Sequence, residues 1–492
     1  MSENKVSYRQ IMKSTSIFGG VQVFNILIAI IRSKFVAVLL GPAGMGIMGL
    51  LTTTLSMVGA ATNFGLSTSA VRDIAEAHNT QNHEKIKETI SIFRKLIWLT
   101  GILGMGLTIV LSPFLSKLTF GNYNYTLAFI ALSITLLIGQ LAAGQIVLLQ
   151  GLRKIKWLAK AGLFASLLGL ITSLPLYYFF GQDGIVPALI VTAIFLFFIN
   201  YYFANKIDVD SEFISIKAAL KKGKGMLKLG FMLSLSGMIT AFCSYIIRIF
   251  IANDGGVEDV GLYNAGFTLI SVYIGMVFTA MATDYYPRLA GANKNTETSN
   301  SIINQQSEIA LLILAPLICT FLIFINCIII LLYSTKFLPI SEMVHWAMLG
   351  VYFKSVSWAI GYLILAKGDS KFFFWNELIS SAYLLMFNVI GYKIAGLTGL
   401  GVSFLLGYIL HFFQMLYVST KFYHFRLEKS LLKIFLVSIT FGVICFIVAT
   451  NLQGLLMYTI GSCNIIGVIF FSFHFLNKKL NLVELFNSKF KK

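Results

Sequence analysis

Ser14 to Leu40 reads STSIFGGVQVFNILIAIIRSKFVAVLL, an apolar run with Arg32 and Lys34 set inside it. As a helix rising about 1.5 Å per residue it is roughly 40 Å long, enough to cross a hydrocarbon core of about 30 Å with tilt. The run reads as a membrane span. A guanidinium near mid-membrane costs about 2.5–3.5 kcal/mol on insertion scales unless it faces a wet cavity or an anion. The first helix therefore points to a polar, cationic interior.

The rest of the chain extends that reading. Of 492 residues 57% are hydrophobic and 12% charged, with a mean hydropathy of +0.82, whereas a soluble domain carries about one quarter charged residues. The expected class is an all-α polytopic membrane protein. A formal charge of +18 raises the question of nucleic acid, but the Lys and Arg residues fall in short clusters between apolar runs, the pattern of a topology signal. No nucleic-acid partner is expected. Cys243, Cys319, Cys327, Cys445 and Cys463 are scattered through apolar stretches without CxxC spacing and read as small hydrophobes. The polar start, MSENKVSYRQIMK, precedes a span too long for a signal-peptide core and is expected to stay attached.

Apolar runs of about 17–27 residues give about fourteen transmembrane helices. They start near Ser14, Met45, Ile92, Leu127, Leu158, Ile185, Leu229, Leu262, Ile309, Met343, Phe372, Gly396, Ile434 and Leu455. With a cytoplasmic N-terminus, 31 of the 38 basic residues fall on inside loops, three (Lys117, Lys336, Lys393) outside, and four (Arg32, Lys34, Arg248, Lys354) within spans. This alternation supports an even count with both termini cytoplasmic. A twelve-span alternative merges or drops the last two. Outer connections such as Gly41-Pro42-Ala43-Gly44 and Gly181-Gln182-Asp183-Gly184 carry turn residues between antiparallel helices. Aromatic clusters such as Tyr177-Tyr178-Phe179-Phe180 read as interfacial anchors.

A weak duplication is visible. Ile30-Ile31-Arg32 recurs as Ile246-Ile247-Arg248, Gly46-Ile47-Met48 is echoed by Gly261-Leu262-Tyr263, and Arg72 follows Arg32 by 40 residues as Arg288 follows Arg248. Spans one and seven both start inside, so the repeat is parallel, about an axis along the membrane normal. The expected organisation is two pseudo-symmetric six-helix lobes, residues 1–205 and 225–422, around a central cavity. A cytoplasmic linker, 206–224, joins them, and 423–492 holds two further helices and a basic tail.

Charges inside the spans mark candidate sites. Lys354 lies near the middle of the expected span Met343–Ala366, about 18 Å from each end, so it is expected to face the interior rather than lipid. Arg32 and Arg248 hold equivalent places in the repeat, where a shared anion site competes with snorkelling to the outer surface. Lys34 is about 200° around the helix from Arg32. Arg72 and Arg288 sit at inner span ends, as positive-inside anchors or as guides for an anionic headgroup. Asp284, four residues before Arg288, can pair with it along a helix. Asp284, Glu308 and Glu377 are candidates for ion coupling, and His345 reads as a polar cap. No nucleophile elbow, P-loop, HExxH or metal-spaced cluster occurs, and loops this short leave no room for a catalytic domain, so no enzyme is expected.

Three stretches carry a resemblance: Leu40-Gly41-Pro42-Ala43-Gly44-Met45-Gly46; Asp284-Tyr285-Tyr286-Pro287-Arg288-Leu289; and Leu349-Gly350 through Lys354 to Gly361-Tyr362-Leu363-Ile364-Leu365-Ala366-Lys367, followed by Phe372 and Glu377. In order and spacing the chain resembles the O-antigen translocase and enterobacterial common antigen lipid III flippase group of the multidrug/oligosaccharidyl-lipid/polysaccharide (MOP) exporter superfamily. The last two spans depart from that group's twelve-helix pattern and are similar to the lipid II flippase branch. The resemblance implies a flippase of the bacterial inner membrane. Its substrate would be undecaprenyl diphosphate carrying an oligosaccharide repeat unit, moved from the cytoplasmic to the periplasmic leaflet by alternating access. It implies no cofactor, coupling to H⁺, Na⁺ or the membrane potential, and membrane lipids, a polysaccharide polymerase and a chain-length regulator as partners. Arg32, Arg248 and Lys354, with Lys34, Arg72 and Arg288, would then meet the diphosphate. The alternative is a cation-coupled multidrug exporter of the same superfamily, which would favour acidic residues where this chain has basic ones.

Overall fold

The computed structural model describes residues 3–80, 82–207, 212–292 and 294–480. Part of the expected linker, 208–211, and the basic tail with Lys489, Lys491 and Lys492 lie outside them. Regular structure among the described residues is helical throughout. In chain order the helices are α1 (Glu3–Thr62), α2 (Leu66–Asn79), α3 (His83–Phe120), α4 (Thr126–Gly151), α5 (Ile155–Phe180), α6 (Ile185–Ala204), α7 (Ile216–Lys222), α8 (Lys224–Asp254), α9 (Val257–Thr268), α10 (Gly275–Gly291), α11 (Thr296–Leu332), α12 (Ser341–Ala366), α13 (Ser370–Tyr423), α14 (Lys429–Asn451) and α15 (Gly454–Leu480).

Eleven helical stretches among the described residues are long and apolar enough to cross a membrane. Three of them, Leu27–Thr62, Lys156–Ala204 and Lys371–Tyr423, each cover two of the expected spans. Each contains a backbone break where the sequence placed a turn or a span boundary: Gly41 (φ +64°), Gly181 (φ +55°), and Ala395 with Gly396 (φ +54°). Pro42 follows the first of these. Its ring cannot donate to the preceding turn, and its neighbour is pushed out of the α region.

The chain divides into two compact units, Met1–Gly261 and Leu262–Lys492. In the first, α3 packs on α4, α5 on α6 and α1 on α5, while α8 packs on α1, α2 and α3. α8, with which the expected second lobe opens, packs among the helices of the first of these units. Bare backbone holds α8 there: a Cβ on Gly65 would lie 2.1 Å from the Gly230 carbonyl oxygen, and one on Gly230 would lie 2.4 Å from that of Phe64. Tyr245 of α8 also shares a 2.9 Å hydrogen bond with Thr119 of α3. The two glycines that the repeat equates meet the same crossing. A Cβ on Gly46 would sit 1.9 Å from the Val257 carbonyl oxygen, and one on Gly261 would sit 1.8 Å from that of Pro42.

The second unit is centred on α11 and α12, whose facing sides are buried from Ile318 to Leu322 and from Val344 to Tyr352. α12 lies against both halves of α13. Those halves form a hairpin clasped at its turn. A Cβ on Gly399 would lie 1.8 Å from the Gly391 carbonyl oxygen, and the Ser403 hydroxyl donates to Phe387 O at 2.6 Å. The same end is tied to α12, because a Cβ on Gly401 would lie 2.3 Å from Met343 O and one on Gly350 3.0 Å from Leu405 Cα. Helices α14 and α15 pack on α11. Asn304 of α11 donates to Arg426 O and accepts from Glu428 N, both at 3.0 Å. Glu308, 2% exposed, is ion-paired with Lys479 of α15, while its other oxygen is buried without a hydrogen-bond partner.

Two stability measurements follow. Gly399→Ala forces two backbones apart, at about 1–3 kcal/mol as for an overpacked core, whereas Gly139→Ala adds a methyl to open space in α4 and gains up to about 1 kcal/mol of helix propensity. Thermal unfolding of the purified protein in detergent should shift down for the first and not for the second. Lys479→Ala leaves the Glu308 carboxylate buried and uncompensated, a cost of about 3 kcal/mol. The double variant Glu308→Gln/Lys479→Met should recover most of the lost melting temperature.

Candidate functional site

Lys354 is half-buried on α12, near the buried Tyr352 and Ser355. Its Nζ stands 5.2 Å from the ring centroid of Tyr408, 5.7 Å from that of Phe404 and 5.8 Å from that of Phe278. Aromatic faces attract an ammonium through the ring quadrupole without neutralising it. No carboxylate among the described residues lies within 4 Å of it. The cation is solvated but not paired, and an anion entering the site would complete it.

The site is a cavity of about 260 Å³ inside the second unit. α12 lines it with Lys354, Ser357, Trp358, Gly361 and Tyr362, the first half of α13 with Phe373, Asn376 and Glu377, and the second half with Tyr408, His411 and Met415. Polar atoms are few and placed. Gln414 Nε2 donates to Asn376 Oδ1 at 2.7 Å, and His411 Nδ1 is buried without a partner. The α12 wall is braced from α10, where Tyr285 donates to Ala359 O at 2.7 Å and its ring packs against Trp358 and Tyr362. The arrangement can hold phosphoryl oxygens on an ammonium while ring faces accept apolar or sugar surface.

The structure brings Lys354 and Glu377 into this one cavity. Asp284 and Arg288 are exposed on α10, 4.0 Å apart at i,i+4, as the spacing predicted; Arg288 also donates to Gln306 at 3.1 Å. Glu308 is withdrawn into its pair with Lys479. His345 caps a helix carbonyl, its Nε2 2.9 Å from Leu322 O. In the first unit, Arg32 and Lys34 are half-buried on α1. Arg248, half-buried on α8, donates to Ser244 O at 2.8 Å and to the Ser244 hydroxyl. Arg72 lines a separate cavity of about 470 Å³ with Asp73, Glu76, Lys85 and Lys222, a mouth of mixed charge. There burial pushes the Asp73 carboxyl up, against the opposing pull of Arg72.

Sequence reasoning missed Trp358, Tyr362, Tyr408, His411 and Asn376. The first two were detectable, since they stand four and eight residues after Lys354 and so share its helix face. His411, a titratable group inside an apolar run, was an equally readable signal. That Tyr408 faces Lys354 depends on how α13 folds back, which spacing does not disclose.

The family described as polysaccharide biosynthesis protein matches residues 35–342. Lipid III flippase of Escherichia coli K12 is 21% identical over 390 residues, 77% of this chain and 91% of that protein. A Shigella flexneri protein named for O-antigen transport is 24% identical over 406 residues, 80% of this chain and 94% of its own. Among solved structures, lipid II flippase MurJ in an inward closed conformation superposes with a TM-score of 0.70 over 94% of this chain and 99% of its own, at 15% identity. An inward-facing multidrug resistance MATE transporter of the MOP superfamily gives 0.62 over 87% and 96%, at 17% identity. These two likenesses are of fold. With well over half its length matched, the chain belongs to the polysaccharide biosynthesis protein family and has the polytopic fold of MOP transporters.

Proposed function

We propose that this chain is a flippase that moves undecaprenyl-diphosphate-linked oligosaccharide repeat units, of O-antigen or a related surface polysaccharide, from the cytoplasmic to the periplasmic leaflet by alternating access. The observation that carries the reading is the Lys354 site, an ammonium among ring faces with no carboxylate within 4 Å among the described residues, in a chain whose curated relatives are named for lipid III flipping and O-antigen transport. A diphosphate cannot cross hydrocarbon unaided, and charge-assisted hydrogen bonds can replace its water. Arg32, Arg248 and Lys354 are the cations assigned to hold it. Lys34, Arg72 and Arg288 are assigned to its approach.

A cell interior negative by 100 mV favours outward movement of an anion by about 2.3 kcal/mol per charge. Of the three acids considered for ion coupling, Glu377 is the one that lines the Lys354 cavity, and it is the residue we assign to H⁺ or Na⁺ coupling. Inner-membrane residence, cytoplasmic termini, fourteen crossings, and work alongside a polymerase and a chain-length regulator belong to the same proposal. The multidrug-exporter alternative shares the fold but wants an acidic site for organic cations, and an unpaired Lys354 opposes it.

The test is a leaflet-accessibility assay in proteoliposomes containing a defined undecaprenyl-diphosphate oligosaccharide. Lys354→Ala should slow transfer at least about tenfold, the loss of one charge-assisted contact of about 1.5–3 kcal/mol, with Lys354→Arg retaining part of it. Arg32→Ala and Arg248→Ala should slow it similarly. Full transfer by Lys354→Ala at normal insertion would remove the assignment.

A further inference from the structure

A second unpaired cation sits on the flank of the first unit. Arg94 of α3 is half-buried in a pocket of about 260 Å³ between α3, α4 and α6, lined also by Trp98, Gln145, Tyr201 and Asn205. It forms no hydrogen bond and no ion pair with any described residue. The charge count absorbs Arg94 as a topology signal, and a snorkelling anchor is the plain alternative. An anchor, however, extends toward water, whereas this guanidinium is held among an indole, a phenol and two amides.

The surroundings say which anion fits. Glu212, which lines an adjoining pocket with Arg94 and Lys95, pairs with Lys87 at 3.1 Å, so among the described residues neither Arg94 nor Lys95 has an ion pair; Lys95 Nζ instead stands 5.2 Å from the Phe213 ring. Along α3, Arg94, Trp98 and Ile102 recur every four residues and share a face. Trp98 and Ile102 are exposed, as are Phe198 and Tyr201 of α6. In a membrane-spanning helix that exposed apolar surface is lipid-facing. One cation beside exposed apolar side chains matches a molecule with one phosphate and acyl chains better than free phosphate, which has no use for them.

We propose that this pocket binds an anionic membrane phospholipid, its phosphate on Arg94, its headgroup hydroxyls on Gln145 and Asn205, and an acyl chain along Ile102 and Phe198. Basic pockets between helices near a membrane surface recognise such headgroups. The site lies in the first unit and does not involve Lys354, so it stands independently of the transport reading.

The test uses the full-length protein, delipidated in neutral detergent. Dioleoylphosphatidylglycerol, dioleoylphosphatidylcholine or inorganic phosphate is titrated, with retention read by native mass spectrometry and stability by thermal unfolding. Wild type should retain the anionic lipid at least about fivefold more than the zwitterionic one. Arg94→Gln should abolish that preference, Arg94→Lys should keep part of it, and lipid-free melting of Arg94→Gln should match wild type. Any of four results overturns the proposal: no preference in wild type, an undiminished preference in Arg94→Gln, equal stabilisation by millimolar phosphate alone, or lipid-free Arg94→Gln melting well below lipid-free wild type.

Discussion

An ammonium partway along an apolar helix must be solvated by something other than bulk water, and the second unit is built to meet that requirement at Lys354. Three ring faces from α10 and α13 stand at 5.2–5.8 Å from its Nζ. Two of those rings, Phe404 and Tyr408, belong to the returning half of α13. They reach Lys354 because the helix reverses at Ala395–Gly396. Placing the charge, reversing the helix and choosing glycine at the contact are therefore one structural solution. Because rings attract a cation without cancelling it, the solution leaves the charge available to a ligand.

The acids show the complementary pattern. Glu308 is buried against Lys479, Glu212 is joined to Lys87, and Asp284 lies beside Arg288. Of the acids, Glu377 lines the Lys354 cavity, and no ion pair among the described residues joins it to Lys354. Half-buried cations without an ion-pair partner among the described residues are costly in a membrane, and an anionic ligand would offset that cost.

Much of this was legible in the linear sequence. Apolar length located the membrane-crossing helices, because a membrane imposes one length scale on every span. The i,i+4 pairing of Asp284 with Arg288 followed from helical periodicity. The Gly46 and Gly261 echo was visible as repetition, although its reason, two carbonyls occupying the space of the missing side chains, was not. What stayed hidden depended on contacts between distant segments. No local pattern says that α8 packs with the first unit, that Glu308 meets a lysine 171 positions later, or that Tyr408 turns toward Lys354.

The glycine contacts of α13 have a mechanical corollary. The backbone contacts of Gly391 with Gly399, Gly401 with Met343 and Gly350 with Leu405 lie toward the turn at Ala395–Gly396, while Asn376, Glu377, Tyr362 and Met415 lie at the far end of the same three helical segments. Residue 376 is about 22 Å along the helix from residue 391. The assembly is a clothes-peg, sprung at one end. A tilt of a few degrees at the pinned end becomes a displacement of an ångström or more at the jaws, where Asn376, Glu377, Tyr362 and Met415 line the cavity.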